Sequence, residues 1–114
     1  LEKREMDIVS SISIESDSIQ IALYDNGVID GDSISLIYDG NIIISKRMLQ
    51  AHALNFKLAV PAGQSPHVLL MFAENLGTIP PNTALMIIWD GDKKHEVYIS
   101  STSTTNGAIQ FRRN

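Results

Sequence analysis

The chain is built from short segments in which apolar and polar residues alternate. Residues 18–23 set Ile19, Ile21 and Leu23 against Ser18, Gln20 and Ala22, and residues 33–38 repeat the pattern with Ile34, Leu36 and Tyr38. A period of two sends successive side chains to opposite faces of an extended chain, so each segment predicts a strand with one wet face. Asp39-Gly40 then precedes Ile42, Ile43 and Ile44, and this dipeptide supplies the positive φ that a two-residue hairpin turn requires. Leu54, Phe56, Leu58 and Val60 alternate in the same way, and Pro61 and Pro66 bracket a loop before a strand over residues 67–74.

Two segments, residues 68–73 and 84–89, are apolar on both faces. That pattern predicts central strands covered on one side by a second sheet and on the other by a loop or a partner. The stretch between them contains Pro80-Pro81, which cannot donate to a ladder and therefore marks a loop. Asp90-Gly91-Asp92-Lys93 turns the chain into residues 94–100, where His95, Val97 and Ile99 face one way and Glu96 and Tyr98 the other. Residues 101–106 read as a small-residue loop, and residues 108–112 as a last strand with Ile109 and Phe111 inward. Residues 46–54 carry only a weak helical stripe, Met48, Leu49 and Ala53, with no cap, and are expected to connect two sheets. The sum is an all-β fold: an antiparallel two-sheet β-sandwich, Ig-like or jelly-roll-like, of about eight strands. A single domain over residues 1–114 is expected, with residues 1–6 a flexible lead; the opening Leu-Glu-Lys-Arg-Glu suggests a processed start.

Composition narrows the function classes. With 13 acidic against 9 basic residues and a formal charge of -4, the basic footprint of a nucleic-acid binder is missing. Cysteine is absent, so disulfides and thiolate metal sites are excluded. The longest apolar runs fall far short of the roughly 18 residues of a membrane-spanning helix.

The densest chemistry lies in Tyr24-Asp25-Asn26-Gly27-Val28-Ile29-Asp30-Gly31-Asp32, an acidic loop between two strands. Asp25, Asp30 and Asp32 could converge if Gly27 and Gly31 curl the loop, with Asn26 or Asn75 adding an oxygen, and such an oxygen cage suits calcium. The same Asp/Asn/Gly cluster also serves as a purely structural connection, since these side chains accept hydrogen bonds from nearby amides. The spacing does not match the alternate-position ligands and terminal glutamate of an EF-hand. Asp90-Gly91-Asp92 needs no ligand beyond its hairpin position.

His52, His67 and His95 are isolated and form no helical zinc pair. Gly63-Gln64-Ser65-Pro66-His67 lacks the closing glycine of a nucleophile turn, and Pro66 removes the amide an oxyanion hole would use. Glu15, Glu74 and Glu96 are the carboxylates that a glycoside hydrolase would have to bring together. No phosphate-binding glycine loop or dinucleotide fingerprint occurs. Trp89, Tyr24, Tyr38 and Tyr98 are the rings available for stacking on sugars. Parity assigns Tyr38 to the core, Trp89 ends an apolar run and reads as core, and Tyr98 should be the most exposed and hence the candidate ligand contact.

The acidic loop, the segment from Ala73-Glu74-Asn75-Leu76-Gly77-Thr78 through Ile79-Pro80-Pro81-Asn82-Thr83-Ala84, and the closing Gly107-Ala108-Ile109-Gln110-Phe111 together resemble a β-sandwich domain that recurs in exported bacterial envelope proteins. The likeness spans residues 19–112 and implies an extracytoplasmic, non-enzymatic module; it carries no ligand or catalytic residue. A looser likeness, in architecture and acidic loop, is to calcium-dependent xylan-binding modules. The expectation is therefore a non-catalytic accessory or interaction module whose partner is a glycan or an envelope protein. A small polysaccharide hydrolase using paired carboxylates is the alternative, and pairing through an exposed strand edge is a third mode.

Overall fold

A computed structural model describes residues 4–25, 33–63, 66–75 and 82–113, with the side chain of Asn75 left out. Nine strands follow one another: β1 (Glu5–Ser13), β2 (Ser18–Asp25), β3 (Ser33–Tyr38), β4 (Asn41–Met48), β5 (Leu54–Ala59), β6 (His67–Asn75), β7 (Asn82–Asp90), β8 (Lys93–Ser101) and β9 (Thr105–Arg112). They form a five-stranded sheet in the order β1-β9-β6-β3-β4 and a four-stranded sheet in the order β5-β2-β7-β8. The two-sheet β-sandwich expected from alternation is what the chain adopts. Every pairing is antiparallel except β1 with β9, which is parallel.

Alternation decides which side chains meet between the layers. Ile19, Ile21 and Leu23 of β2, Ile34 and Leu36 of β3, and Leu69 and Met71 of β6 are all essentially inaccessible. Each such side chain contributes roughly 1.5–3 kcal/mol by leaving water. In β7 the rhythm is strict, with Ala84, Met86 and Ile88 buried and Leu85, Ile87 and Trp89 half-buried on the outer face. β6 and β7 are internal strands of their sheets, as their two-sided apolar character requires.

Asp39-Gly40 makes the anticipated tight turn between β3 and β4. Its residues have φ 49 and φ 83, the left-handed pair of a type I′ hairpin, which glycine and aspartate tolerate best.

The nine strands among the described residues fit the expected count of about eight, but two other expectations need correction. β1 is a full strand. Glu5 and Met6, assigned to a flexible lead, are its first residues and pair with Thr105 and Asn106. Arg4 secures this end: its guanidinium lies 3.8 Å from the Phe72 ring centroid and donates to the carbonyls of Ala73 (2.9 Å) and Thr102 (3.2 Å). Finally, the segment expected to connect the sheets from residue 46 is still strand through Met48, and only residues 49–53 make the crossing, with Leu49 buried.

Candidate functional site

The strands that bear the sequence-predicted metal ligands end at one tip of the sandwich. Asp25 closes β2 opposite Ala84, shares the inward parity of Ile21 and Leu23, and donates its amide to Gln50 O at 2.9 Å. Asn75 closes β6 opposite Ser33, the first residue of β3. Fully buried Asn82 opens β7 and donates from Nδ2 to Ser33 O at 3.1 Å, tying together the first residues of the two strands that follow the acidic loop and the proline loop. Asp30 and Asp32, with Asn26, lie outside the described residues, as does the Asn75 side chain. Among the described residues no three of His, Asp and Glu stand close enough to share a metal ion.

The outer face of the four-stranded sheet is the most chemically varied surface. Register sets Lys57, Gln20, Trp89 and Lys94 in one row, Asn55, Ala22, Ile87 and Glu96 in the next, and Tyr24, Leu85 and Tyr98 in a third. Tyr98 is 61% exposed, as its parity demanded. Trp89 departs from expectation: it belongs to this outer row and is half-buried, because the last apolar residue of β7 falls on the parity opposite to Ile88. Tyr38 is half-buried and packs against the core as its parity predicted. Three rings therefore share an open sheet face with two primary amides, two lysines and a carboxylate.

The other titratable groups hold turns. His67, buried at the start of β6, has Nδ1 2.6 Å from Asp39 Oδ2 and Nε2 2.9 Å from Pro61 O, while the second Asp39 oxygen accepts the Val68 amide at 2.8 Å. With an acceptor at each nitrogen, the ring satisfies both contacts only as the imidazolium. Burial acts to lower its pKa, but the hydrogen bonds to Asp39 and Pro61 and the charge of Asp39 outweigh it and raise the pKa above 6.5. Tyr38 stacks on the ring with centroids 6.0 Å apart and donates to Ala59 O at 2.6 Å. Burial, then the nearby Asp39 charge, push its pKa to about 12. Both His67 nitrogens are occupied and the ring is enclosed, so this pair has no free base to offer a substrate.

Asp90 was legible only as a hairpin residue. In the fold it is buried, and its two oxygens accept the amides of Glu15 and Ser16, each at 2.9 Å, which fixes the turn between β1 and β2. Burial works to raise its pKa, yet the Ser16 hydroxyl, the two amides and the charge of Lys93 prevail and hold it below 3.8.

The three glutamates weighed for hydrolysis are dispersed. Glu74 takes a hydrogen bond from Ser35 on the outer face of the five-stranded sheet, Glu96 pairs with Lys94 on the outer face of the other, and Glu15 meets Lys93 at 2.8 Å beside the β7–β8 hairpin. Facing away from each other across the sandwich, Glu74 and Glu96 cannot flank one glycosidic bond.

No family model, curated protein or solved structure matches the chain. Among the described residues no helix is long and apolar enough to cross a membrane.

Proposed function

We propose that this domain is a non-catalytic accessory module acting outside the cytoplasm, and that it binds glycan on the outer face of its four-stranded sheet. One observation carries the reading: Trp89, Tyr98 and Tyr24 share an open surface with Gln20, Asn55, Lys57, Lys94 and Glu96. Pyranose rings present apolar C–H faces and polar hydroxyl edges, and a sheet face that mixes aromatic planes with amides and charges complements both. The extracytoplasmic assignment draws on the resemblance of residues 19–112 to exported envelope domains. The calcium expectation for Asp25, Asp30, Asp32 and Asn75 is kept within this proposal as a structural ion, which would neutralise crowded carboxylates and lock the loop after β2. Millimolar calcium should then raise the melting temperature of the wild type and leave Asp30→Ala unchanged; an unchanged wild-type melt removes the ion.

The glycan reading is tested by affinity electrophoresis through gels containing xylan, mixed-linkage glucan or bacterial cell-wall polysaccharide. At least one polymer should retard the protein. Trp89→Ala should weaken that binding about tenfold, in keeping with the loss of one stacked ring, and Tyr98→Ala by less. Migration unaffected by every polymer, or retardation that survives Trp89→Ala, overturns the assignment.

A further inference from the structure

Six of the seven large apolar or aromatic side chains exposed among the described residues belong to one sheet: Met6, Ile8 and Val9 on β1, and Ile42, Ile43 and Met48 on β4, the border strands of the five-stranded layer. Register joins these borders across the strands between. Ile42 faces Ile37, Ile37 faces Leu70, Leu70 faces Ala108 and Ala108 faces Ile8, so one apolar row crosses all five strands on the outer face. Val68 and Phe72 flank Leu70 on that face, and both are half-buried. A run apolar on both sides, as residues 68–73 are, calls for a cover on each. The fold supplies one of the two, because all nine strands lie in the two layers and none of them packs outside β6.

The same register places the charges of this face. Glu74 follows Leu70 by four residues on β6, and Arg112 follows Ala108 by four on the antiparallel β9, so the two exposed charges lie at opposite ends, each about 13 Å from the apolar row. Roughly 26 Å apart along the strands, they cannot pair within one chain. A second copy turned over about the row exchanges the two ends. Leu70 then lies on Leu70 and Phe72 on Val68, and each Glu74 reaches the end of the other copy where Arg112 stands on the neighbouring strand. The hollow of about 420 Å³ over Ser35, Ile37 and Phe72 lies toward the Glu74 end, where the second copy brings its Val68 and its β3–β4 turn. Rotation about the strand direction would instead stack Glu74 on Glu74, and like charges at an interface oppose association.

We propose that the outer face of the five-stranded sheet is a dimer interface, on which a second copy of this chain packs face to face about a two-fold axis along the row from Ile42 to Ile8. Self-complementarity selects the occupant: the apolar row meets itself, and the acid at one end of the face meets the base at the other. The available area is also sufficient. Five strands at about 4.8 Å and eight residues at about 3.3 Å project roughly 600 Å² per copy, more once side-chain relief is included, which approaches the about 800 Å² that each partner of a stable complex contributes. Sheets packed face to face at about 10 Å already form the interior, and the dimer repeats that contact once more to give a stack of four layers. The glycan face belongs to the other sheet and stays open on both copies, so this inference stands apart from that reading.

Sedimentation equilibrium of the full chain, from about 1 to about 200 μM, tests the assembly, and the wild type should be dimeric at the upper end. Ile42→Lys, at a position already 61% exposed, sets two ammonium groups against each other and should raise the dissociation constant at least about tenfold. Glu74→Arg and Arg112→Glu should each weaken association by about threefold to tenfold. Mixed in equal amounts, these two variants restore both charge pairs in the heterodimer and should associate as the wild type does. Tyr98→Ala, on the other sheet, should change nothing. Protein that stays monomeric throughout, whatever other protein or lipid then covers the face, overturns the proposal. So does a dimer that Ile42→Lys leaves intact in protein with wild-type circular dichroism, or a pair of charge variants that associate no better together than apart.

Discussion

The two Asp-Gly hairpins use the same dipeptide to opposite ends. In the β3–β4 turn Asp39 is itself a central turn residue at φ 49, and its carboxylate reaches back to a cation, the His67 ring, and to the Val68 amide. In the β7–β8 turn the central glycine is Gly91 at φ 62, and Asp90 is the last strand residue, so its side chain follows the inward parity of Ile88 and meets the amides of Glu15 and Ser16. A shift of one position within the turn decides whether the carboxylate is 38% exposed beside an imidazole or 3% exposed among neutral donors. The lesson is that a turn dipeptide fixes the hairpin, while the parity of its aspartate fixes what that hairpin anchors.

Removing each anchor separates the two. Asp90→Ala removes the acceptors of two part-buried amides, and should cost about 2–4 kcal/mol in urea unfolding. Asp90→Asn should recover only part of this, because the Glu15 and Ser16 amides point at different oxygens and one of these becomes an NH2 group, which cannot accept. His67→Ala frees Asp39, which water can solvate, and orphans Pro61 O; about 1–2 kcal/mol is expected. Equal losses at the two positions would mean that exposure of the carboxylate does not control the outcome.

The pH dependence has opposite signs. Asp90 titrates below 3.8 in the fold, so its contribution is complete above that value and lost as the pH falls through the depressed pKa. His67 titrates above 6.5, so its contribution is complete below 6.5 and lost as the pH rises through the raised pKa. Stability measured against pH should therefore decline on both sides. Asp90→Asn should flatten the acid limb alone, and His67→Gln the limb above neutrality alone. A separate fall above pH 10 belongs to Tyr38, whose phenol ionises near 12 and then ceases to donate to Ala59. Loss of both outer limbs in one variant would show that the two hairpins are not independent.

The same distinction explains what could be read from the residues alone. Alternation exposed β2, β3, β5 and β8, and the facing of Val97, Ile99 and Tyr98, because their pleat is regular, while β6 and β7 showed as runs apolar on both faces. β1 was missed because Val9 and Ser10 interrupt the alternation of Met6, Ile8 and Ile12, and the bulge between Ile8 and Ser10 leaves Met6 and Ile8 exposed while Ile12, of the same sequence parity, is buried. The end of β4 was hidden for the same reason by Lys46. The anchors of Asp90, His67 and Asn82 join segments between 6 and 75 residues apart, a separation no local pattern encodes. Of the candidate site, Tyr98 followed from parity, whereas Trp89 was assigned inward because a run apolar on both faces does not say which face its last residue takes.

The smallest expected effect asks whether the β3–β4 turn or its anchor sets the register. Nothing lies within 4 Å of a Cβ built on Gly40, so Gly40→Ala meets no clash and costs only the strain of an L residue held at φ 83, about 1 kcal/mol. Gly40→Asn, which tolerates that region, should lose a few tenths of this. If the turn alone dictated pairing, Gly40→Ala would let β4 slip and change the amide exchange of residues 41–44. Because Asp39 is also held by the His67 ring and by reciprocal bonds with Val68, the exchange pattern should stay as in the wild type and slip only when His67→Ala is added. No such added slip is expected at the other hairpin, where the anchor is set by the strand before the turn and does not depend on the turn's own conformation.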